Sequence, residues 1–432
     1  MPKRVVLLQL PSPWLVRDRD TPLLGPLYLA TNLLANGIDA HVADLVGTPE
    51  DQWLIPEGDI YGISFTTPQV PLARAAIKLL RDRTSYPITI IGGGFHPSAM
   101  PQWCLDNLGL DYVFVGEADH ALVDFVRNGS TTRIIRCTPP DLTTLPLLRR
   151  DLVDMRSFHR IGVNQYVIWK KLKRGYSYEG YLQTGRGCPF DCTFCAHTAV
   201  TMRKVRYYPT EHVLAELDEL LGKWECDLIY VQDDTFNISR KRVRELCAHF
   251  KERRFDWHCL CRADLFDDEQ AATMRDAGCL NVTFGFESGS PAMLKAMGKG
   301  ETVEDGLRAA AAAHAVGLGV RGQMIVGFPG ETDDTIAETA TFMRQVNAEK
   351  WGVHAFVPLP GSRSWTEAAH FGISISHDED FTTGFHTIGK AGEWARVWGD
   401  DTQVRGWLDV LREIANEKNI DPIDSSSERR DG

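Results

Sequence analysis

The segment Cys188-Pro-Phe-Asp-Cys192-Thr-Phe-Cys195 constrains this chain more than any other, because three thiols spaced four and three residues apart point to a metal site. It follows the apolar stretch Tyr181-Leu-Gln-Thr184 and the turn Gly185-Arg-Gly187. A structural zinc site takes four protein ligands, and no fourth Cys or His falls at matching spacing nearby. An iron–sulfur cube on three thiolates keeps one iron open to a small molecule. Pro189 and Asp191 favour a loop, on which the sulfurs converge instead of being spaced along a helix. A trio of buried or disulfide-bonded cysteines is the plainer alternative, but apolar packing needs no such spacing.

At 432 residues the chain exceeds one ordinary core, so two domains and an appendage are expected. A hydrophobic content of 43% with 24% charged residues fits a soluble globular protein. No run of about eighteen uncharged apolar residues occurs, which argues against a membrane span. Lys3-Arg4 leads into Val5-Val-Leu-Leu8, too short for a secretory signal, so the cytoplasm is the expected compartment. The net charge is −11, and the one dense basic run, Lys170-Lys171-Leu172-Lys173-Arg174, falls in a connecting segment. A nucleic-acid partner is therefore not expected, and the acidic balance leans faintly toward a cationic small molecule.

Residues 4–10, 38–44, 59–65, 87–92 and 111–115 are short apolar runs separated by helical patterns such as 27–35 and 73–80. That alternation predicts a doubly wound parallel sheet over residues 1–137, with ligands beyond the carboxyl ends of its strands. Pro11-Ser12-Pro13-Trp14, Ser64-Phe-Thr66-Thr67, Gly92-Gly93-Gly-Phe-His96 and Gly116-Glu117 lie there. A Pro- and charge-rich linker over 138–178 leads to six further strands, at 181–184, 227–232, 256–261, 281–286, 320–326 and 351–357. Six such units predict a partial (β/α) barrel over 179–362. The remaining residues, 363–432, form a short tail with an amphipathic helix over 403–416 and a polar end from Ser425.

The CxxxCxxC spacing, with Phe194 directly before the last Cys, resembles the radical S-adenosylmethionine (radical SAM) superfamily. The resemblance implies that Cys188, Cys192 and Cys195 bind a [4Fe–4S] cluster whose fourth iron is chelated by AdoMet. Reductive cleavage there gives a 5′-deoxyadenosyl radical. The strand ends match the family in order. Gln232-Asp233-Asp234 aligns with the segment meeting the AdoMet amino group, and Arg262 is a carboxylate clamp. Glu287-Ser288 aligns with ribose or carboxylate contacts, and Val326-Gly327 with the adenine contact. The first domain is similar to the cobalamin (B12)-binding domain that precedes many radical SAM barrels, through Pro22–Ala30, Gly92–Pro97 and Val115–Glu117. That implies Thr66, Thr67, Gly92, Gly93, His96 and Glu117 near a cobalamin. The loop from Leu10 to Leu24 holds no His, so a bound cobalamin would lack a lower His ligand from it; His96 is the substitute, with a structural role the stronger reading.

The same reading weighs Cys259, Cys261 and Cys279 as an auxiliary cluster against core packing, and favours packing. Trp103 and Cys104 are read as packing, and His354 as a core position first. Two reactions stay open. The short tail is similar to the layout of radical SAM diol dehydratases of aminoglycoside (apramycin) biosynthesis. That implies dehydration of a sugar diol, with Asp233, Asp234, Glu287 or His354 moving the hydroxyl proton. A downstream NAD(P)H reductase would follow. The alternative is cobalamin-dependent C-methylation. Dehydration is ranked slightly first, and a B12 or iron–sulfur sensor far behind. Either enzyme needs a flavodoxin- or ferredoxin-type electron donor and a small-molecule substrate.

Overall fold

A computed structural model describes residues 3–12, 19–160, 175–375, 395–396 and 401–418. Pro13, Trp14, the basic run Lys170–Arg174, Trp394, Trp398 and the end from Ser425 lie outside the described residues. The chain forms two compact units. One comprises Met1–Arg160, Gln183–Trp224 and Val357–Arg396; the other comprises Ile161–Leu182, Glu225–Phe356 and Val397–Gly432.

In the first unit, Val5-Val-Leu-Leu-Gln9 is buried at every position, as a strand covered on both faces by helices requires. It is β1 (Val5–Gln9) of a parallel sheet with β2 (Ala40–Asp44), β3 (Ile60–Ser64), β4 (Thr89–Gly93), β5 (Tyr112–Val115) and β6 (Ile134–Arg136). The order is β2-β1-β3-β4-β5-β6, and every pairing is parallel. The five expected strands are all present. The sixth, β6, has three residues and none of them is fully buried, so its hydrophobic signal is too short to read. Strand order reverses between β1 and β3, which opens a ligand crevice beyond Gln9 and Ser64. The helix Val70–Arg83 turns Val70, Ala73, Ala76, Ile77 and Leu80 inward, at the three- and four-residue spacing of one helical face.

The stretch from Thr138 to Arg160, read from sequence as linker, is packed. Leu142, Leu145, Leu148, Met155 and Phe158 are buried. Arg150 forms a buried ion pair with Glu216 on the helix Thr210–Gly222, and the same carboxylate accepts the Leu148 N–H.

The second unit contains β7 (Glu179–Leu182), β10 (Leu228–Val231), β11 (Asp256–Cys261), β12 (Cys279–Glu287), β13 (Gly319–Val326) and β14 (Lys350–Ala355). They pair in chain order, all parallel, as successive strands of a partial (β/α) barrel do. One face is covered by helices: Trp257 packs edge-on against Phe250 at 5.4 Å and Phe286 against Phe342 at 5.2 Å. Gly322 belongs to that face, where a Cβ would lie 2.1 Å from the Trp351 ring. The amphipathic tail helix spans Asp401–Lys418 and docks on the helix Asp333–Val346. There Trp407 Nε1 donates to Asp333 Oδ1 at 2.6 Å, and Leu408, Leu411 and Ile414 are buried.

Gly322→Ala should therefore overpack the Trp351 pocket and cost about 1–3 kcal/mol. Urea unfolding checks this; an unchanged midpoint would show that the indole moves aside freely.

Candidate active site

The cysteine loop is anchored within the first unit. A two-strand antiparallel ribbon, β8 (Gly185–Arg186) with β9 (Arg206–Tyr207), brackets it. Gly187, directly before Cys188, has φ +97°, and a Cβ there would sit 2.0 Å from the Lys204 carbonyl oxygen. Only glycine fits this crossing. Cys195 N–H donates to the Cys192 carbonyl at 3.1 Å, which closes a turn between the last two thiols. All three thiols are half-buried, and none of the ten cysteines is in a disulfide.

Among the described residues no three His, Cys, Asp or Glu groups close on a single ion. A cube binds each thiolate at a different iron, so it asks for wider sulfur spacing than one ion does. Three half-buried thiols on one loop are a donor set of that kind.

What holds this ribbon is a buried charge network that the sequence reading did not find. Arg186 Nη1 lies 3.1 Å from Glu117 Oε2 and 3.0 Å from Asp119 Oδ2. Arg206 pairs with the other Glu117 oxygen. Arg186 also stacks over the Tyr28 ring at 4.7 Å. Glu117, expected to meet a cobalamin, instead commits both carboxylate oxygens to the ribbon. The signal was present as Arg186 in the turn before Cys188, but its partners lie about seventy residues away and leave no local pattern.

Other first-domain candidates are similarly engaged. Thr66 caps its own turn by accepting from Gln69 N–H and bonding Gln69 Oε1, while Thr67 Oγ1 bonds His96 Nδ1 at 3.1 Å. His96 is fully buried between Phe65 and Trp103, and burial pushes its imidazole down to about 3. A ring enclosed in this way is a core group and is not displayed for cobalt. Gly92 fits against Leu110, whereas Gly93 is half-exposed with nothing within 4 Å of where a Cβ would be. The open backbone beyond β4 thus suits a bulky flat ligand, held by contacts other than a His96 bond.

In the second unit the expected AdoMet contacts lie at strand ends. Gln232 N–H donates to the Leu182 carbonyl at 2.8 Å, and Asp233 is buried beside the half-exposed Asp234. Arg262 follows β11 and is nearly enclosed. Asp264 takes it through Nε at 3.0 Å and Nη2 at 3.2 Å, Glu301 sits 3.2 Å from Nε, and the Lys299 carbonyl accepts from Nη2 at 2.8 Å. Lys299 Nζ reaches Glu287 Oε1 at 3.3 Å and Glu301 at 3.8 Å. Burial pushes the Glu301 carboxyl up to about 7, against the pull of Lys299 and Arg262. Lys299 and Glu301 were missed because they sit in a loop after a short helix, away from any strand end.

Glu287 is the one strand residue of this sheet with positive φ, +66° among the described residues, and the β12–β13 register slips beside it. Such backbone is costly for a side-chain-bearing residue and marks a position fixed by its surroundings. Ser288 and Gly327 are folded inward. Ser288 Oγ bonds Thr339 Oγ1 at 3.1 Å, and Gly327 N–H donates to Glu331 Oε2 at 2.9 Å beside the buried Val326. His354 is exposed, not core as first read, and its Nε2 lies 3.2 Å from Gln323 Oε1. Cys259 and Cys261 are buried 3.6 Å apart, with Cys279 also buried. Burial pushes the Cys259 thiol well up, the state of a packing residue.

Residues 182–343 match the radical SAM superfamily, and residues 16–126 match the B12 binding domain. An uncharacterized methyltransferase, PH0819 of Pyrococcus horikoshii, is 28% identical over 80% of this chain and 78% of its own. Cytidylyl-2-hydroxyethylphosphonate methyltransferase of Streptomyces wedmorensis is 26% identical over 73% of this chain and 67% of its own. The solved radical S-adenosylmethionine methyltransferase TsrM of Kitasatospora setae superposes with a TM-score of 0.73. That match covers 98% of this chain and 92% of the other at 18% identity, a likeness of fold. These relatives reverse the order of the two reactions read from sequence: they are named methyltransferases, and the layout alone had favoured dehydration.

Two outcomes test the anchoring. Glu117→Gln leaves Arg186 and Arg206 short of a buried counter-charge, so urea unfolding should lose about 3–5 kcal/mol. His96 is held below its ordinary pKa. Its contribution is therefore full above pH 6.5 and lost as pH falls toward 3, because the unfolded chain takes the proton first. Urea stability measured from pH 7 to pH 4 should fall less steeply in His96→Phe than in the parent; parallel curves would mean that the imidazole reaches water.

Proposed function

From a chain that carries a B12-binding domain ahead of a radical SAM domain, we propose a cobalamin-dependent radical SAM C-methyltransferase acting on a small molecule. The observation that carries this reading is the run of named methyltransferases whose similarity spans both domains. When bound, the cluster with AdoMet supplies a 5′-deoxyadenosyl radical, and cobalamin carries the methyl group.

The chain's own residues have separate tasks. Cys188, Cys192 and Cys195 hold the cluster on a loop that Gly187 and the β8–β9 ribbon fix in place. Phe194 shields it. Gln232 and Asp233 would receive the AdoMet ammonium, and the segment Val326-Gly327 would lie against adenine. In the connected charge set of the second unit, Arg262 and Lys299 face three carboxylates, Asp264, Glu287 and Glu301, so an arriving carboxylate competes with Glu301 for the guanidinium. Glu301, with its carboxyl up at about 7, leaves that contact most readily by taking a proton. His354 and Gln323 form a hydrogen-bonding pair on the face of the sheet opposite the described helices, suited to orienting a substrate hydroxyl or amide. The electron donor is a small low-potential protein of the flavodoxin or ferredoxin kind.

Anaerobically reconstituted protein with AdoMet and reductant tests the reading, with and without added cobalamin. Methyl transfer should give both 5′-deoxyadenosine and S-adenosylhomocysteine, the latter only with cobalamin present. Cobalamin-independent 5′-deoxyadenosine with loss of water from a diol would replace it by the dehydratase. Cys192→Ala should lower bound iron from about four per chain and abolish AdoMet cleavage; retained cleavage would remove the cysteine loop from the account.

A further inference from the structure

Arg321 is the third of the eight residues of β13, on the face of the sheet opposite the one that the described helices cover. Its neighbours Val320 and Gly322 are buried on the helix side, so alternation sends Arg321 and Gln323 the other way. The register carries Leu260, Thr283, Arg321 and Lys350 across four strands at one level. Arg321 is therefore deep within its own strand but level with Leu260, two residues before Arg262.

The Arg321 guanidinium is half-buried, and its Nε is shielded from water without a hydrogen-bond partner. No ion pair reaches it among the described residues. The acid whose charge it senses, Glu179, is engaged elsewhere: Glu179 Oε1 bonds His258 Nε2 at 2.6 Å, and Oε2 accepts from Tyr181 at 3.1 Å. Tyr230, the other group it senses, is stacked on His258 at 4.6 Å. Lys350, next to Arg321 in register, adds to the positive field. Burial and the Arg321 charge together pull its ammonium down to about 7.

A buried charge is normally paired, because an uncompensated one costs several kcal/mol. Arginine keeps its proton under that pressure, and its planar fork matches a carboxylate or phosphate through two parallel hydrogen bonds. We infer that Arg321 is a specificity-determining residue that receives an anionic group, a carboxylate or a phosphate, of the small-molecule substrate. This rests on the proposed function for the presence of a substrate on this face. One strand step onward, Gln323 and His354 provide hydrogen-bonding contacts. Gly352 keeps room for them, since a Cβ there would lie 2.0 Å from Gln323 Oε1. The site thus carries a fixed cation at one level and hydrogen-bonding side chains at the next, which suits a substrate with an anionic group at one end. The faint expectation of a cationic substrate, drawn from net charge, gives way to local charge, because screening confines the influence of distant surface groups.

The test uses anaerobically reconstituted holoprotein at constant ionic strength. Inorganic phosphate, succinate and methylammonium are the probes, and shift of the melting temperature is the readout. Saturable stabilisation by phosphate or succinate is expected, and the better of the two names the group. Arg321→Gln should weaken it roughly tenfold or more, and Arg321→Lys, which keeps the charge but loses the planar fork, should weaken it by less. Arg321→Met, which removes an uncompensated charge, should melt no lower than the parent. The inference is overturned by any of four results: no saturable anion response, equal responses in parent and Arg321→Gln, a lowered melting point in Arg321→Met, or loss of the anion response when AdoMet saturates the protein. The last would give Arg321 to the AdoMet carboxylate. Anion binding needs no AdoMet cleavage. A protein that cleaves AdoMet but ignores anions sinks this inference alone, and one that binds anions without cleaving AdoMet sinks the methyltransferase reading instead.

Discussion

The Glu117 carboxylate, shared between Arg186 and Arg206, is the interaction on which the candidate cluster site most depends. Two guanidinium groups nearly removed from water meet Glu117 and Asp119 at the end of the first sheet, with Tyr28 covering one of them. A network of this kind gains little net stability over an apolar core of equal volume, but it tolerates the loss of no member. That intolerance fits its place. The ribbon it fastens precedes and follows the three thiols, and a cluster ligand loop must keep its sulfurs in one arrangement to hold four irons at once.

The second unit concentrates charge in a different way. Arg262, Asp264, Glu287, Lys299 and Glu301 form a connected set in which each group touches an opposite charge, and Glu287 holds strained backbone to take part. Such a set is ready-made to exchange an internal carboxylate for an incoming one. On the opposite face of the sheet Arg321 has no ion-pair partner among the described residues. The two arginines, only a few residues apart in level on neighbouring parts of the sheet, therefore do different work: one is neutralised by the protein itself, and the other is left for a ligand.

How much of this was legible in the chain follows from the range of the interactions. The eleven expected strands and the tail helix were all readable, because burial of every position in β1, or of positions three and four apart in the helix Val70–Arg83, is written locally. The cysteine spacing and the ordered strand-end motifs were readable for the same reason. The short β6, the β8–β9 ribbon and the packing of the segment 138–160 were not. Each owes its form to partners far along the chain, such as Glu216 for Arg150. His354 was misread as core because alternation within a strand gives two faces but not which one the helices cover.

By itself the sequence determined the chemistry available: a three-thiolate loop, a doubly wound parallel sheet, a six-stranded parallel array and the residues at its strand ends. Periodicity and side-chain type carry that information without reference to any distant neighbour. Only the tertiary structure decided which of those residues are already occupied. It assigned Glu117, Thr67 and His96 to holding the fold, and Arg262 to an internal charge chain. It left Arg321 without a counter-ion among the described residues. Whether a charge is spoken for depends on what lies within a few ångströms of it, and folding sets those neighbours, not adjacency along the chain.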